Sequence, residues 1–575
     1  MLERKEYDRF RVSPLDPAAL RARDVERILK KVAAASGGRL KVEKFAESIE
    51  GRPIYLAKIG TGPKRVLLWS QMHGDEPTHT AVLLDLANYL LQKPAKPPLD
   101  QARKRQADDI LTSCTLHFIP MLNPDGAEAV MRFNAQGIDI NRDARRLATP
   151  EGRALRHAVE LVKPEFAFNL HNQHARTSVG KPPKPAAVSV LAPAPDPSGH
   201  ETPSWRRAKQ MCAVFVEAVR PIVPGMISRY DDTHEPRAFG DTIQATGAST
   251  MLVEAGGWPD VDIEPLTRVH FHGMLTTLHA IATDNCGDAD IKIYESLPES
   301  HPARLLDDMI SDADVLTAST PDAFTADLGI EQSQNDRLGG RTKTDGKIIE
   351  IGDLSVLSAK SKLDAAGKLV MPGRIAFVED WSPKDELPKG QTEGWLAEGI
   401  TTIIGCVDLA DRDAIDAIGT KRKLPLNWGF VGRIDKAGSS EGADRWERIA
   451  WAAHQGVLAI VSERADEKLW HQLDHLGLPL VQFNQLPILA VVDGSYRDTA
   501  KEIQKYYQLL NLYPARGHVG RDAIADLVMF DIGPKADVNK GFGADELARV
   551  IVAGETVWEN DKRVGGNPGN FLRLS

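Results

Sequence analysis

The sequence has 575 residues, of which 42% are hydrophobic and 26% charged, and its 71 basic and 80 acidic side chains leave a formal net charge of −9. That balance excludes a largely disordered chain and argues against polyanion binding by the whole surface. No apolar run approaches the ~20 residues of a membrane-spanning helix, and the charged start Met1-Leu2-Glu3-Arg4-Lys5-Glu6 lacks the apolar core of a signal peptide, so neither nucleic acid nor membrane is expected as a partner and the expected location is cytoplasmic.

In chain order, Arg65–Ser70 reads as a buried strand, and Thr80 to Leu91 as a helix with Val82, Leu83, Leu86, Leu90 and Leu91 on one face. Cys114 to Met121, Glu165 to Leu170 and Ser249 to Glu254 read as further strands, with helices at Glu151–Val162 and Trp205–Val219. Strands alternating with helices predict an α/β domain with a parallel or mixed sheet. The Pro- and Ala-rich stretch Lys181 to Pro203 is expected to be a surface loop. A polar, Pro-containing boundary at about Asp284 to Arg304 separates residues 1–295 from residues 305–575. Beyond it, 305–375 and 513–575 are strand-rich, and 376–512 alternate strands with helices. Cys114, Cys212, Cys286 and Cys406 show no zinc or disulfide spacing and are expected to be buried thiols.

His73 and Glu76 form His-x-x-Glu just after a strand, where a turn at Gly74 brings a nitrogen and an oxygen donor to the strand's carboxyl end. His157 and Glu160 repeat the spacing, but inside a helix, where a solvated pair is the simpler expectation. Phe168-Asn169-Leu170 runs into His171, and Met251-Leu252-Val253 into Glu254. Ligands of open α/β sheets gather outside strand carboxyl ends. If these strands share a direction, two histidines and one carboxylate supply the three protein ligands of a hydrolytic zinc site, with Glu254 left as general base. Arg142 and Asn141 suit a carboxylate, and Arg132 suits the oxyanion of a scissile carbonyl.

Taken together, His73-Gly74-Asp75-Glu76, Asn123-Pro124-Asp125-Gly126, Gly137-Ile138-Asp139-Ile140-Asn141-Arg142, Phe168-Asn169-Leu170-His171 and Met251-Leu252-Val253-Glu254 resemble, in order and spacing, the zinc carboxypeptidases. The resemblance spans about residues 45–285. It implies one zinc ion per chain on His73, Glu76 and His171. It also implies Glu254 as the base that activates water, Arg132 on the carbonyl oxygen, and Asn141 and Arg142 on the substrate's terminal carboxylate. Asp143 departs from the Asn common after the Asn-Arg pair. Tyr230 is the nearest tyrosine for capping the substrate, and the charged segment Tyr230–Asp241 argues against a purely apolar leaving-group pocket.

Residues 345–373, ending in Leu369-Val370-Met371-Pro372-Gly373, and the tail from Pro514-Ala515-Arg516 through Ile524–Asp531 resemble the D-aminoacylase-like amidohydrolases. That resemblance implies a composite β-sandwich, residues 305–375 with 513–575, around an α/β barrel-like insert at 376–512. The insert is short for a full barrel, and Val378 and Asp380 stand where the family has His-x-His. His454, His471 and His475 form no recognisable ligand pattern, and Asp493 alone makes no metal site. The expectation is a degenerate, non-catalytic domain with a structural role, covering the first domain or mediating self-association as a homo-oligomer. The expected function is a zinc-dependent metallocarboxypeptidase acting on a peptide. The rivals are an aspartoacylase-like deacylase acting on an N-acyl amino acid and a non-catalytic scaffold with a vestigial zinc site.

Overall fold

The computed structural model describes residues 3–91, 100–181, 183–231, 233–258, 264–301, 305–320, 322–334, 342–354, 357–378, 381–387, 390–418, 420, 422, 424–434, 443–462, 473, 476, 478–482, 496–510, 512, 516, 519, 523–531, 547–553, 555–559 and 562–564. Asp232, Asp380, His471, His475 and Asp493 lie outside them. The chain divides into two compact units, one built on Met1–Leu305 and one on Leu306–Ser333 with Lys343–Ser575. Among the described residues, no helix is long and apolar enough to cross a membrane.

The first unit contains strands β1 (Lys41–Glu47), β2 (Pro53–Ile59), β3 (Lys64–Ser70), β4 (Cys114–Ile119), β5 (Phe166–Asn172), β6 (Ser178–Val179), β7 (Lys184–Pro185), β8 (Val188–Leu191), β9 (Ile227–Arg229) and β10 (Ser249–Ala255). Eight of them form one sheet in the order β1-β2-β4-β3-β5-β10-β8-β9. The centre of the sheet, β4-β3-β5-β10, is parallel, so these strands present their carboxyl ends at one edge. Helices α1 (Arg4–Tyr7), α2 (Ala22–Ala35), α3 (Thr78–Leu90), α4 (Gln101–Ser113), α5 (Pro124–Ala129), α6 (Pro150–Val162), α7 (Pro203–Val219), α8 (Phe239–Ala245), α9 (Glu264–Ala282) and α10 (Lys292–Glu295) complete the unit.

The period of two along β3 splits the core. Val66 and Leu68 join the cluster shared with α3, α7 and α9, while Leu67 and Trp69 join the one shared with α6 and α8. Every residue of α3 is buried, so its one-face pattern understates its environment. Inside the core, Asp85 of α3 accepts hydrogen bonds from Tyr7 Oη (2.6 Å), Ser13 Oγ (2.8 Å) and the Val12 and Ser13 amides (2.7 and 2.9 Å). All four cysteines are buried and free of disulfides.

One expectation is corrected. Val188–Leu191, inside the stretch read as a surface loop, is the fully buried strand β8, antiparallel to β10 and parallel to β9. Its flanking prolines and alanines mask it in the sequence. Ala186 and Ala187 are themselves buried beside it.

In the second unit, both flanks share one nine-stranded sheet, in which Leu369–Pro372 pairs antiparallel with Leu527–Phe530. Leu369 and Met371 pack into one core, and Val370 into another on the opposite face. The insert forms a separate five-stranded sheet from Arg374–Val378, Ile400–Asp408, Asn427–Arg433, Ile460–Ser462 and Leu480–Gln482, with all described pairings parallel. Val378 ends the first of these strands, half-buried against the apolar core.

Candidate metal centre and substrate cleft

Three parallel strands build the centre. After β3, Gln71 takes a left-handed φ of 51°, which turns the chain sharply. The turn is held from both sides: Thr80 Oγ1 donates to Gln71 Oε1 (2.7 Å), and Gln71 Nε2 donates to the Gly74 carbonyl (2.9 Å). Glu76 N donates back to His73 O at 3.2 Å, so both side chains leave one bend. Gly74 is required by close approach rather than by φ, because a Cβ there would lie 1.9 Å from the Gly126 carbonyl carbon.

Asn123-Pro124-Asp125-Gly126 is a structural clasp. Asn123 Oδ1 caps α5 through the Gly126 amide (2.9 Å), while its Nδ2 donates to the carbonyls of Met72 and Phe133, each at 3.2 Å. One amide therefore ties the residue before His73 to the residue after Arg132. Asp125 accepts from Ser48 Oγ (2.7 Å), Glu50 N (3.0 Å) and Arg52 Nη1 (2.7 Å), pinning the β1–β2 turn to the same clasp.

His73, Glu76 and His171 are buried, with one donor atom from each lying within 4.8 Å of the others. His73 Nδ1 is 2.8 Å from Glu76 Oε1, and His171 Nδ1 is 2.8 Å from Glu76 Oε2. Asp139, which the sequence reading assigned no role, completes the group. Its Oδ1 lies 3.0 Å from His73 Nε2, and its Oδ2 accepts from Arg132 Nε (3.1 Å) and Nη2 (2.9 Å). Arg132 Nη1 lies 3.1 Å from His73 Nδ1.

These contacts set the ionisation. Burial works against the Asp139 carboxylate, but the His73 hydrogen bond and the His73 and Arg132 charges hold its pKa well below the usual carboxylate range. Burial likewise works against ionised Glu76, and the two histidines reverse it and lower its pKa. Burial lowers the pKa of His171, whereas at His73 the Glu76 charge and the Asp139 contact overcome burial and raise it.

Glu254 on β10 stands in parallel register with His171 on β5, so both side chains leave the same sheet face. Both line a cleft of about 730 Å³ together with His73, Glu76, Arg132, Asn141, Arg142 and Tyr230. Asn141 is held by Phe239 N donating to its Oδ1 (3.1 Å) and by its own amide donating to Asp139 Oδ1 (2.9 Å). Arg142 donates through Nη1 to the Asn141 carbonyl (2.8 Å), and its Nε lies 3.6 Å from Glu235 Oε2. Tyr230 is half-buried, its amide donating to Val190 O at 3.0 Å. Asp143 points away from the cleft's chemistry: its carboxylate accepts from the Ala148 and Thr149 amides and from Thr149 Oγ1. His157 stacks on Phe45 with ring centroids 4.8 Å apart, and its neighbour Glu160 is exposed.

The cleft contains Glu235, Asp231, His234, Asp241 and Glu299 as well, none of which the sequence reading singled out as ligand or base. The signal available for Asp139 was its place three residues before Arg142 in the Asn-Arg run.

Residues 25–178 match the zinc carboxypeptidase family. That span includes every proposed metal ligand, Arg132, Asn141 and Arg142, while Glu254 lies beyond it. The chain is 30% identical over 126 residues to carboxypeptidase SOL1 of Arabidopsis thaliana, covering 21% of this chain and 24% of that protein. It is 27% identical over 151 residues to the catalytic chain of human carboxypeptidase N, covering 23% of this chain and 32% of that one. The chain thus spans about a quarter to a third of these curated relatives. Among solved structures, a metallo-carboxypeptidase from Burkholderia cenocepacia aligns with a TM-score of 0.37 and 21% identity, over 46% of this chain and 69% of that one. The N-terminal region therefore contains a zinc carboxypeptidase family domain.

Proposed function

We propose that this protein is a zinc-dependent metallocarboxypeptidase that hydrolyses an amide bond next to a free C-terminal carboxylate. The observation that carries the reading is the meeting, in one cleft, of three metal-capable side chains, a carboxylate on the neighbouring strand and two arginines.

The donor set fits zinc. Two imidazole Nδ1 atoms face separate oxygens of one carboxylate, and three protein ligands leave one position open. Asp139 holds the far nitrogen of His73, fixing the ring as outer contacts of metal-binding histidines do. When bound, zinc supplies Lewis-acid polarisation of the scissile carbonyl and of water.

The chain's own residues do the rest. Glu254 takes a proton from the attacking water and returns it to the leaving amine nitrogen. Arg132 keeps Nε and Nη2 on Asp139, so Nη1 is the group it offers to the developing oxyanion. Arg142, with Asn141, receives the terminal carboxylate, and Tyr230 lines the approach.

The test compares N-blocked peptides bearing a free or an amidated C-terminus, alongside N-acyl amino acids. Glu254→Gln should retain zinc and lose ~10²-fold or more in kcat. Arg142→Ala should lose most of its advantage on free acids. Wild-type turnover in Glu254→Gln, or equal cleavage of amides and acids, defeats the reading. Preference for N-acyl amino acids over peptides would favour the deacylase instead.

For the second unit, we propose a degenerate amidohydrolase-like domain with no catalytic metal and a role in self-association. Half-buried Val378 at a strand end, where that family has a histidine, supports this. Zinc-loaded protein should contain one ion per chain, and His171→Ala none. A stoichiometric ion retained in His171→Ala refutes the assignment.

A further inference from the structure

Gln173 directly follows β5 and continues its pairing with β10, its amide donating to Ala255 O at 2.9 Å. His171 stands opposite Glu254 in that parallel register, so Gln173, two residues on, faces the same side of the sheet opposite Gly256. Gly256 leaves the way clear: a Cβ there would lie 1.9 Å from Ala186 O and 2.5 Å from Gln173 Nε2. The Gln173 side chain therefore crosses β10 at the glycine, on the carboxyl-end side of Glu254, and reaches β8 and the residues just before it.

There its two polar atoms are fixed. Nε2 donates to the Ala186 carbonyl at 2.8 Å, and Oε1 accepts from Ser189 Oγ at 3.0 Å. Ser189 uses its one hydroxyl proton in that contact, so Ser228 Oγ, 2.5 Å away on β9, donates to Ser189. A carbonyl can only accept, so the Gln173 amide cannot reverse without breaking both contacts. Gln173 is 6% exposed and both serines are fully buried, yet Gln173 lines the cleft together with Glu254. The second hydrogen on Nε2 has no acceptor among the described residues. The cleft wall thus holds one donor, oriented in advance, that the fold itself does not use.

We propose that Gln173 is a substrate-binding residue whose unused amide hydrogen receives the first main-chain carbonyl oxygen upstream of the scissile one. The inference rests on the carboxypeptidase reading and names the substrate class within it: N-acyl dipeptides and longer peptides, in preference to N-acyl amino acids. A carboxypeptidase substrate has a single residue beyond the scissile bond, and its carboxylate goes to Arg142 and Asn141. The scissile carbonyl is directed to the metal centre and Arg132. Every other main-chain acceptor lies upstream, and a neutral amide N–H suits a neutral carbonyl as a guanidinium suits a carboxylate. An N-acyl amino acid has only the scissile carbonyl and leaves this sheltered donor unpaired, which is the source of the discrimination. One neutral hydrogen bond of this kind changes binding about three- to tenfold. The contact is made to a group that does not react, so it acts alike on bound substrate and transition state and appears in KM.

The experiment uses the zinc-loaded full chain and two acyl groups of equal length, acetylglycyl and pentanoyl, each joined to a C-terminal Lys, Phe or Glu. Both supply the scissile carbonyl, and only acetylglycyl supplies a second one. Wild type should favour the acetylglycyl substrates in kcat/KM by about threefold or more. Gln173→Met keeps the side chain's length without its donor and should lower that ratio about three- to tenfold, through KM. Ser189→Ala touches no substrate but frees the amide to reverse, and should lower the ratio part of the way. A wild-type ratio near one, or a Gln173→Met ratio within twofold of a larger wild-type value, overturns the proposal while the carboxypeptidase reading stands. A wild type inert on every substrate overturns that reading and the proposal with it, so the two failures are distinguished.

Discussion

Replacing Asp139 with Asn removes one charge and almost no volume, and the structure sets out what depends on that charge. Asp139 receives two charge-assisted hydrogen bonds from Arg132, contacts His73 Nε2, and accepts the Asn141 amide. An Asn can keep its carbonyl on His73 or on the arginine, but its amide nitrogen then faces a donor. Charge-assisted bonds contribute ~1.5–3 kcal/mol each when sheltered. The side chains here are 16% and 26% exposed, so solvent screening reduces the pair to roughly 2–3 kcal/mol in total. Loss of an outer contact to a metal-binding histidine weakens metal affinity about 10–100-fold. Two measurements separate these effects: chelator competition on the zinc-loaded protein, and denaturant unfolding of the metal-free protein. Because the Asp139 pKa is lowered on folding, its stabilisation is present above the unfolded value of ~3.9 and is lost as pH falls below it. The metal-free variant should therefore show a flatter acid limb. Zinc affinity within twofold of wild type would refute the claim that Asp139 orients His73.

Three further outcomes follow from other contacts. Gly74→Ala sets a methyl 1.9 Å from the Gly126 carbonyl carbon and 2.3 Å from Ala127 N, and backbone cannot retreat as a side chain can. It should cost about 3 kcal/mol in the unfolding midpoint and weaken zinc retention, and a change below ~0.5 kcal/mol would contradict the close approach. Burial pushes His270 down to about 4, beside His79 at 3.0 Å. Its neutral form therefore stabilises the fold above the unfolded pKa of ~6.5, and up to about 3 kcal/mol is lost as pH falls from there toward ~4. His270→Gln should flatten the melting temperature against pH across that window, and an unchanged slope would show that His270 does not titrate on unfolding. In the second unit, Arg516 and Asp526 form an ion pair with side chains 4% and 1% exposed, and Asp526 also accepts the Ala553 amide at 2.8 Å. Arg516→Ala strands that carboxylate and should destabilise the unit by ~3–5 kcal/mol in calorimetry, and an unmoved transition would argue against it.

The approach of His73, Glu76, His171 and Glu254 was legible because each follows or ends an apolar run, and parallel neighbours must present those ends on one edge. The tasks of the surrounding residues were not. Asn123 and Asp125 belong to a recognisable run, yet their partners are the Ser48 hydroxyl and backbone groups of Glu50, Met72 and Phe133, which no local pattern announces. Asp139 sits between isoleucines like any turn acid, and only tertiary contact joins it to residues 66 and 7 positions away. Glu235 has a plain partner in Arg237, but its approach to Arg142 depends on how two segments are stitched together. Strand β8 was misread because Pro and Ala dominate its surroundings, and its four buried residues are too few to show a period. In the second unit, the strand runs were readable, whereas the sharing of one sheet by distant flanks was not.

The neighbouring registers of His171 and Glu254 carry a consequence for how such a protein can change. Their separation is one inter-strand step, fixed by backbone hydrogen bonds rather than by side-chain length. A single-residue insertion or deletion within either strand would rotate everything beyond it to the opposite face and separate the proposed base from the proposed metal ligands. The segment holding Tyr230, Glu235 and Arg237 lies outside these two strands and is tied by hydrogen bonds to Val190, Asn141 and Ala144, so its side chains can be exchanged without shifting the register of the sheet. On the proposed reading, reaction type and substrate preference are therefore inherited through separate stretches of chain. Substitutions that retarget the cleft should accumulate between β9 and β10, while the two strands beneath His171 and Glu254 resist any change of length.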